Sequence, residues 1–205
     1  MRDFMTVVEE RANVADAGAA GARRAMIDSQ LRVSGINDAA ILAAFLSVSR
    51  EDFVPEARRA VAYADRAVAL GDGAVLSPAL TYGQMLTAAE PTGADSVLVI
   101  GAPGDYLAAL AEKLASKVTL VAASGDWSKA GEHSLVLVDG AIEEVPAALA
   151  DVVAADGRLV TGVVERGVTR LALGRKVAGH LALTVLSEAD FAPLAAFAAR
   201  PKWSF

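Results

Sequence analysis

An apolar run, Ser96-Val97-Leu98-Val99-Ile100, leads into Gly101-Ala102-Pro103-Gly104, and a helical pattern of Leu107, Leu110, Ala111 and Leu114 follows. A glycine loop between a buried strand and a helix start lets backbone N–H groups approach a ligand. The spacing is Gly101-x-x-Gly104, short of the full dinucleotide fingerprint and without the lysine of a phosphate-binding loop. On its residues alone this loop suits a structural turn as well as a binding loop. Asp139 closes another apolar run, Ser134 to Val138, at the same end of a parallel sheet. There it either meets a ligand or caps the next segment. Glu143-Glu144 resemble an acid pair, but they stand near an expected helix start, where acids complement the dipole. His133 and His180 have no acidic partner at motif spacing and read as surface or strand-end residues. Ser77-Pro78 reads as a turn whose serine caps the following helix, and Gly125-Asp126 as a solvated turn.

Composition removes several classes of chemistry. There is no cysteine, so disulfides, thiolate metal sites and cysteine nucleophiles are excluded, and two histidines cannot build a histidine-rich metal centre. Nineteen Lys and Arg against 25 Asp and Glu give a net charge of −6, the opposite of a nucleic-acid footprint. Hydrophobic residues make up 54% and mean hydropathy is +0.40, which excludes disorder as the main state. The longest uncharged stretch, Gly73 to Ala89, contains Ser77, Pro78, Thr81 and Gln84. A bilayer span needs about 20 mostly apolar residues, so no membrane segment is expected. Met1-Arg2-Asp3-Phe4 does not open a secretory signal, and a cytoplasmic protein is the simplest reading.

The elements that must position these residues change character along the chain. Val7 to Ser34 reads as a helix interrupted by Gly18 and Gly21, with Met26, Ile27 and Leu31 inward and Asp28 and Arg32 outward. Gly35 stops it, and Asn37 or Asp38 caps a second helix with Ile41, Leu42, Phe45 and Leu46 on one face. Pro55 breaks the chain before a short helix over Glu56 to Ala64. Gly71-Asp72-Gly73 is a turn, Val75 to Pro78 is extended, and Thr81 to Ala89 is a helix ended by Pro91 and Gly93. Strands are expected at 96–100, Val118 to Val121, Ser134 to Val138 and Arg158 to Val164, with helices after the first and over Val145 to Ala154. That alternation predicts a parallel sheet with crossover helices. Val168 to Leu173 and His180 to Leu186 predict a closing antiparallel hairpin, joined through 174–179. Trp127 and Trp203 fill surface grooves, and the tail Pro201-Lys202-Trp203-Ser204-Phe205 is suited to docking on a neighbour.

Further segments point to a family. Arg23-Arg24-Ala25-Met26-Ile27-Asp28-Ser29-Gln30-Leu31 precedes Gly35-Ile36, and Val48-Ser49-Arg50-Glu51-Asp52-Phe53-Val54-Pro55 precedes Ala62-Tyr63-Ala64-Asp65. Leu76-Ser77 and Val97-Leu98-Val99-Ile100-Gly101 follow. In this order the chain resembles the protein-L-isoaspartate O-methyltransferase family over residues 22 to 121, and again from Asp139-Gly140 to Val160. The Arg-Glu-Asp-Phe-Val-Pro segment is the most specific piece. The resemblance implies an α/β, Rossmann-like S-adenosylmethionine methyltransferase fold. Its sheet would be mostly parallel, with a C-terminal antiparallel hairpin and an N-terminal helical extension. Residues 1–90 would form the extension and substrate side and residues 91–205 the methyltransferase core, together one compact unit. It implies methyl transfer from S-adenosylmethionine to isoaspartyl carboxylates of damaged proteins, with isoaspartyl-containing peptides as partners. Ser77 falls at the family's active-site hydroxyl, and Gly101, Ala102, Gly104, Asp126 and Asp139 fall in the cofactor region; no metal is implied. A carboxylate attacking a sulfonium methyl needs mainly positioning, worth up to roughly 7–11 kcal/mol.

The chain departs from that pattern at defined places. The family loop resembles Glu-Ile-Gly-Thr-Gly-Ser-Gly-Tyr; here it is Val99-Ile100-Gly101-Ala102-Pro103-Gly104-Asp105-Tyr106. Asp105 brings a carboxylate to the loop mouth or caps the helix. The second strand runs into Ala122-Ala123 where the family has an acid for the ribose hydroxyls. Between Val121 and Ser134 the family fits a helix, an edge strand and an acidic loop, so one edge strand is expected to be missing, with Gly125-Asp126 as a remnant of that loop. These departures predict a degenerate cofactor site. The alternative is a non-catalytic binding or assembly module, a pseudoenzyme that keeps the fold. The exposed sheet edge and the apolar excess leave room for a homodimer.

Overall fold

A computed structural model describes residues 17–102 and 104–199. The first residues of the expected 7–34 helix, Pro103, Trp203 and the aromatic tail lie outside the described residues.

Helix α1 runs over 17–26, widens into a π-turn at Ile27–Leu31, tightens to 3₁₀ over Arg32–Ser34, and stops at Gly35 with φ 87°. Met26, Ile27 and Leu31 are buried. Asp38 caps α2 (Ala39–Ser47) by accepting from the Ile41 N–H, so the cap falls on Asp38, one of the two residues expected. Ile41, Leu42 and Phe45 face inward, but Leu46 is 47% exposed. Its position lies about 100° beyond Phe45 on the helical wheel, past the edge of the buried stripe.

Strands β1 (Val68–Gly71) and β2 (Ala74–Leu76) form a hairpin around Gly71-Asp72-Gly73, all at positive φ. β2 delivers Ser77 and Pro78 to the start of α3 (Ala79–Ala89). The main sheet has six strands in the order β4-β3-β5-β6-β7-β8. These are β3 (Ser96–Gly101), β4 (Lys117–Ala122), β5 (His133–Ile142), β6 (Val153–Glu165), β7 (Val168–Val177) and β8 (His180–Glu188). Pairs β3–β4, β3–β5 and β5–β6 are parallel, and β6–β7 and β7–β8 antiparallel. Val97 to Ile100 and Leu135 to Val138 have no exposed surface, as apolar runs covered on both faces require. From β3 the chain passes through α4 (Tyr106–Ala111) to β4 on one side, then returns to β5 on the other. The strand order therefore reverses at β3, and ligand crevices form outside the carboxyl ends at such a point. β4 is a sheet edge, and only a 3₁₀ turn, Trp127–Lys129, separates it from β5.

Three elements differ from expectation. The short helix expected over Glu56 to Ala64 is a 3₁₀ run, Glu56–Val61. The helix expected over Val145 to Ala154 is a 3₁₀ turn, Ala147–Asp151, and β6 already begins at Val153. Val152 and Val153 are β-branched and fully buried, and the β5–β6 register shifts between Val153 and Arg158, so the chain enters the sheet irregularly instead of coiling. The closing hairpin is longer than expected. Ala178-Gly179 alone makes the turn, with φ 50° and 81°, the conformation of a tight two-residue hairpin. Gly174 looks like a break in sequence but lies inside β7, because a Cβ there would meet Leu183 Cδ2 at 2.8 Å.

One buried cluster runs from Met26 to Phe191 and joins α1, α2 and α3 to one face of the sheet; a second, from Leu98 to Phe197, covers the other face. Among the described residues no helix is long and apolar enough to cross a membrane.

Candidate functional site

The cleft at the switch point is built from backbone upward. Ser77 is 3% exposed and is held on both sides of its peptide. Its N–H donates to the Tyr82 hydroxyl at 3.1 Å, and its carbonyl accepts from Arg50 Nη2 at 2.5 Å. Among the described residues no hydrogen bond reaches the Ser77 hydroxyl, and Ser77 lines the cleft. Arg50 is completely buried. Its Nε donates to the Ala62 carbonyl at 2.6 Å, and its guanidinium lies 5.2 Å from the Tyr106 ring centre and 5.8 Å from that of Tyr82. Burial pushes its pKa down, although both tyrosines and Asp139 oppose the shift. The rings of Phe45, Phe53 and Tyr82 all meet Tyr106 edge-on, which fixes this wall.

The Tyr82 hydroxyl in turn donates to Asp139 Oδ2 at 2.9 Å. Asp139 keeps some surface open to the cleft but is packed closely enough that burial, then the charge of Asp105, push its pKa well above the carboxylate range. Asp105 is 6% exposed and its pKa is also raised, first by burial. The two carboxyls flank Gly101, and the charge of Asp105 disfavours ionisation of Asp139. Asp105 also caps α4: Oδ1 accepts from the Ala108 N–H at 3.1 Å and Oδ2 from the Ala102 N–H at 3.3 Å. Its carboxyl folds over Gly101, where an added Cβ would come within 2.0 Å of Oδ2.

The cleft has a volume of about 290 Å³. It brings Ser77, Gly101, Ala102 and Asp139 together with Ala122, Ala123 and Ser124 at the end of β4 and Leu194 from the C-terminal segment. Gly104 lies in an adjoining hollow of about 210 Å³ with Asp105, Tyr106, Phe53 and Leu76, and Ala102 and Asp139 border both. Asp126 is elsewhere: it is exposed, paired with Lys129 Nζ at 2.5 Å and with Ser128 at 2.8 Å, and is not among the cleft-lining residues. His133 is buried at the start of β5, where Ser96 Oγ lies 2.9 Å from Nδ1, rather than on the surface. Glu143 accepts from the Ala199 N–H, and the helix start expected beside it is absent, since only the 3₁₀ turn Ala147–Asp151 follows. Trp127 packs on Phe197 at 5.8 Å. A larger hollow of about 490 Å³ lies between α1 and Tyr63, away from the strand ends. The nearby Arg23, Ser49, Glu51 and Tyr63 are bonded to one another there.

Arg50 and Tyr82 carry the cleft wall but stand out in sequence only weakly. Arg50 lies in the most family-specific segment, which was the available signal; Tyr82 had none beyond its helical position.

Comparison with known proteins agrees with this geometry. The family model for protein-L-isoaspartate(D-aspartate) O-methyltransferase matches residues 22–124. A protein-L-isoaspartate O-methyltransferase of Koribacter versatilis is 32% identical over 199 residues, covering 84% of this chain and 90% of the relative. One of Roseiflexus sp. is 31% identical over 202 residues, covering 85% and 92%. A Plasmodium falciparum structure of such an enzyme in complex with S-adenosyl-L-homocysteine superposes with a TM-score of 0.70 at 16% identity, over 85% of this chain and 98% of that one. That likeness shows a shared fold. The sequence matches take in Ser77, the glycine loop and the Arg50 segment, and with them this chain belongs to the protein-L-isoaspartate O-methyltransferase family.

Proposed function

We propose that this protein is a degenerate protein-L-isoaspartate O-methyltransferase, whose cleft is shaped for methyl transfer from S-adenosylmethionine to isoaspartyl carboxylates but holds the methyl donor weakly. The observation that carries the reading is the pairing of Ser77, which lines the cleft and whose hydroxyl has no hydrogen bond among the described residues, with a donor side stripped of polar grips. When bound, S-adenosylmethionine supplies an electrophilic methyl group. The residues here do not fit it in this arrangement. The space over Gly101 is filled by Asp105, the Ala102 N–H is already used, and β4 ends in Ala122-Ala123, whose methyl groups accept no hydrogen bond from ribose. Each lost buried polar contact costs about 1–3 kcal/mol, so two or three weaken binding by orders of magnitude.

On the acceptor side, the chain's own part is positioning. The Ser77 hydroxyl donates to one oxygen of a peptide carboxylate and orients the other, while Arg50 and Tyr82 hold the Ser77 backbone still. In this reading residues 1–90 form the acceptor side and 91–205 the donor side of one unit. It places the protein in the cytoplasm. The second reading, a non-catalytic module that binds isoaspartyl peptides, is favoured by the occupied Gly101 space.

Calorimetric titration with S-adenosylmethionine and S-adenosylhomocysteine tests the proposal, followed by a methyl-transfer assay on an isoaspartyl peptide with Ser77→Ala as control. Millimolar-range donor affinity with slow, Ser77-dependent methylation is expected. Micromolar affinity overturns the degenerate site, and peptide binding without any methylation at saturating donor selects the module.

A further inference from the structure

We propose that Asp105 sets the ligand specificity of this cleft: it refuses ligands that bring a carboxylate to Gly101 and admits neutral or cationic ones. The inference rests on the weakened donor site above and names the residue responsible.

The space above Gly101 is walled by two acids. Asp105 Oδ2 comes within 2.0 Å of where a Cβ on Gly101 would stand, and Asp139 Cβ within 3.4 Å. A ligand anion approaching the Gly101 backbone therefore meets a carboxyl on either side. The amide that could receive it is spent, because the Ala102 N–H donates to Asp105 Oδ2. The buried cation Arg50 compensates only in part. Its charge acts on Asp139, but its Nε and Nη2 are committed to the Ala62 and Ser77 carbonyls and it is clamped against Tyr82 and Tyr106, which leaves Nη1 as its one nitrogen without a hydrogen bond among the described residues. Tyr82 donates to Asp139, which steadies the acid pair.

A cation or a neutral group faces none of these penalties. An ammonium or sulfonium reaching this point would find acceptors in Asp105 and Asp139, and a free hydroxyl at Ser77. The volume of about 290 Å³ lies at the lower end of small-molecule sites, which also favours a ligand without an amino-acid arm. The acid at position 105 thus inverts the charge preference of the loop.

The test compares S-adenosylhomocysteine, which carries a carboxylate, with 5′-methylthioadenosine, which does not. Both are titrated by calorimetry into the intact chain and into Asp105→Asn and Asp105→Ser. Asparagine removes the charge but keeps the bulk, and serine removes both; each is a competent helix cap, and a urea midpoint checks that each variant is folded. The expected result is S-adenosylhomocysteine affinity at least tenfold tighter in Asp105→Ser, with Asp105→Asn between it and the unaltered chain. Methylthioadenosine affinity should change less than twofold. Equal S-adenosylhomocysteine affinity in all three folded proteins, or no heat in any of them, overturns the assignment. A parallel gain for both ligands also overturns it, since that reports space and not charge. The absolute affinity of the unaltered chain tests the degenerate donor site, whereas the ratio between variants tests Asp105, so the two ideas fail separately.

Discussion

The Tyr82 hydroxyl joins α3 to β5 by donating to Asp139 Oδ2 at 2.9 Å while it accepts the Ser77 N–H at 3.1 Å. One buried oxygen therefore fixes both the acceptor side and the floor of the cleft. Tyr82→Phe keeps the ring and its edge contact with Tyr106 but leaves the Ser77 N–H without an acceptor. A stability loss of about 1–3 kcal/mol is expected, read as a lower urea midpoint with an unchanged slope. A midpoint unchanged within error would mean that water replaces the hydroxyl.

Arg50 makes a sharper case. It is fully buried without a carboxylate in contact, and among the described residues its two side-chain hydrogen bonds go to the carbonyls of Ala62 and Ser77. Arg50→Met fills similar volume and strands both acceptors, so a loss of about 3 kcal/mol is expected by chemical denaturation. Arg50→Lys recovers only part, because an ammonium lacks the planar fork that spans both carbonyls.

These contacts show which parts were legible in the residue order. The β3 run was plain because a strand buried on both faces must be apolar throughout, and Gly35 and Asp38 announce their roles through backbone chemistry that is local. The stretch 145–154 misled because its alanines and leucine suit a helix, while burial of Val152 and Val153 in the sheet decides the outcome. Ser77, Gly101, Ala102 and Asp139 line one cleft and Gly104 the hollow beside it, whereas Asp126, which the resemblance also put in the cofactor region, stands apart in a local ion pair with Lys129. For Asp105 the residue order offers two alternatives, a carboxylate at the loop mouth or a helix cap, and only the fold shows that one side chain does both.

The Asp105–Asp139 pair gives a pH dependence of definite sign. Both acids are held above their ordinary values, mainly by burial, so the folded state keeps a proton that the unfolded chain releases near pH ~4. Folding is then linked to proton retention, and stability falls as pH rises from about 4 toward the folded values. Asp139→Asn mimics the protonated acid and should flatten this decline, making the variant the more stable protein at pH ~8. Parallel stability–pH curves for the two proteins would count against proton retention at Asp139.

At the opposite end of the sheet the sign reverses. Asp95 receives Arg158 in a two-pronged contact, Nη1 to Oδ1 at 3.0 Å and Nη2 to Oδ2 at 2.9 Å, and also accepts from Ser134 and Thr92. Arg158 further donates to the Ala89 and Glu90 carbonyls, so the pair ties the end of α3 to β6. The bond to Arg158, with help from Ser134 and Thr92, holds the Asp95 carboxyl far below the usual range despite partial burial. A depressed folded pKa means stability that is complete above the unfolded value near ~4 and drains away as pH falls below it. Asp95→Asn should therefore lower stability at pH ~7, where the charge is present in the parent, and lose less on further acidification. Thermal melts at pH ~7, ~4 and ~3 read this directly. The gap between variant and parent should narrow steadily toward acid, and a gap of constant size would show that Asp95 contributes by shape and not by charge.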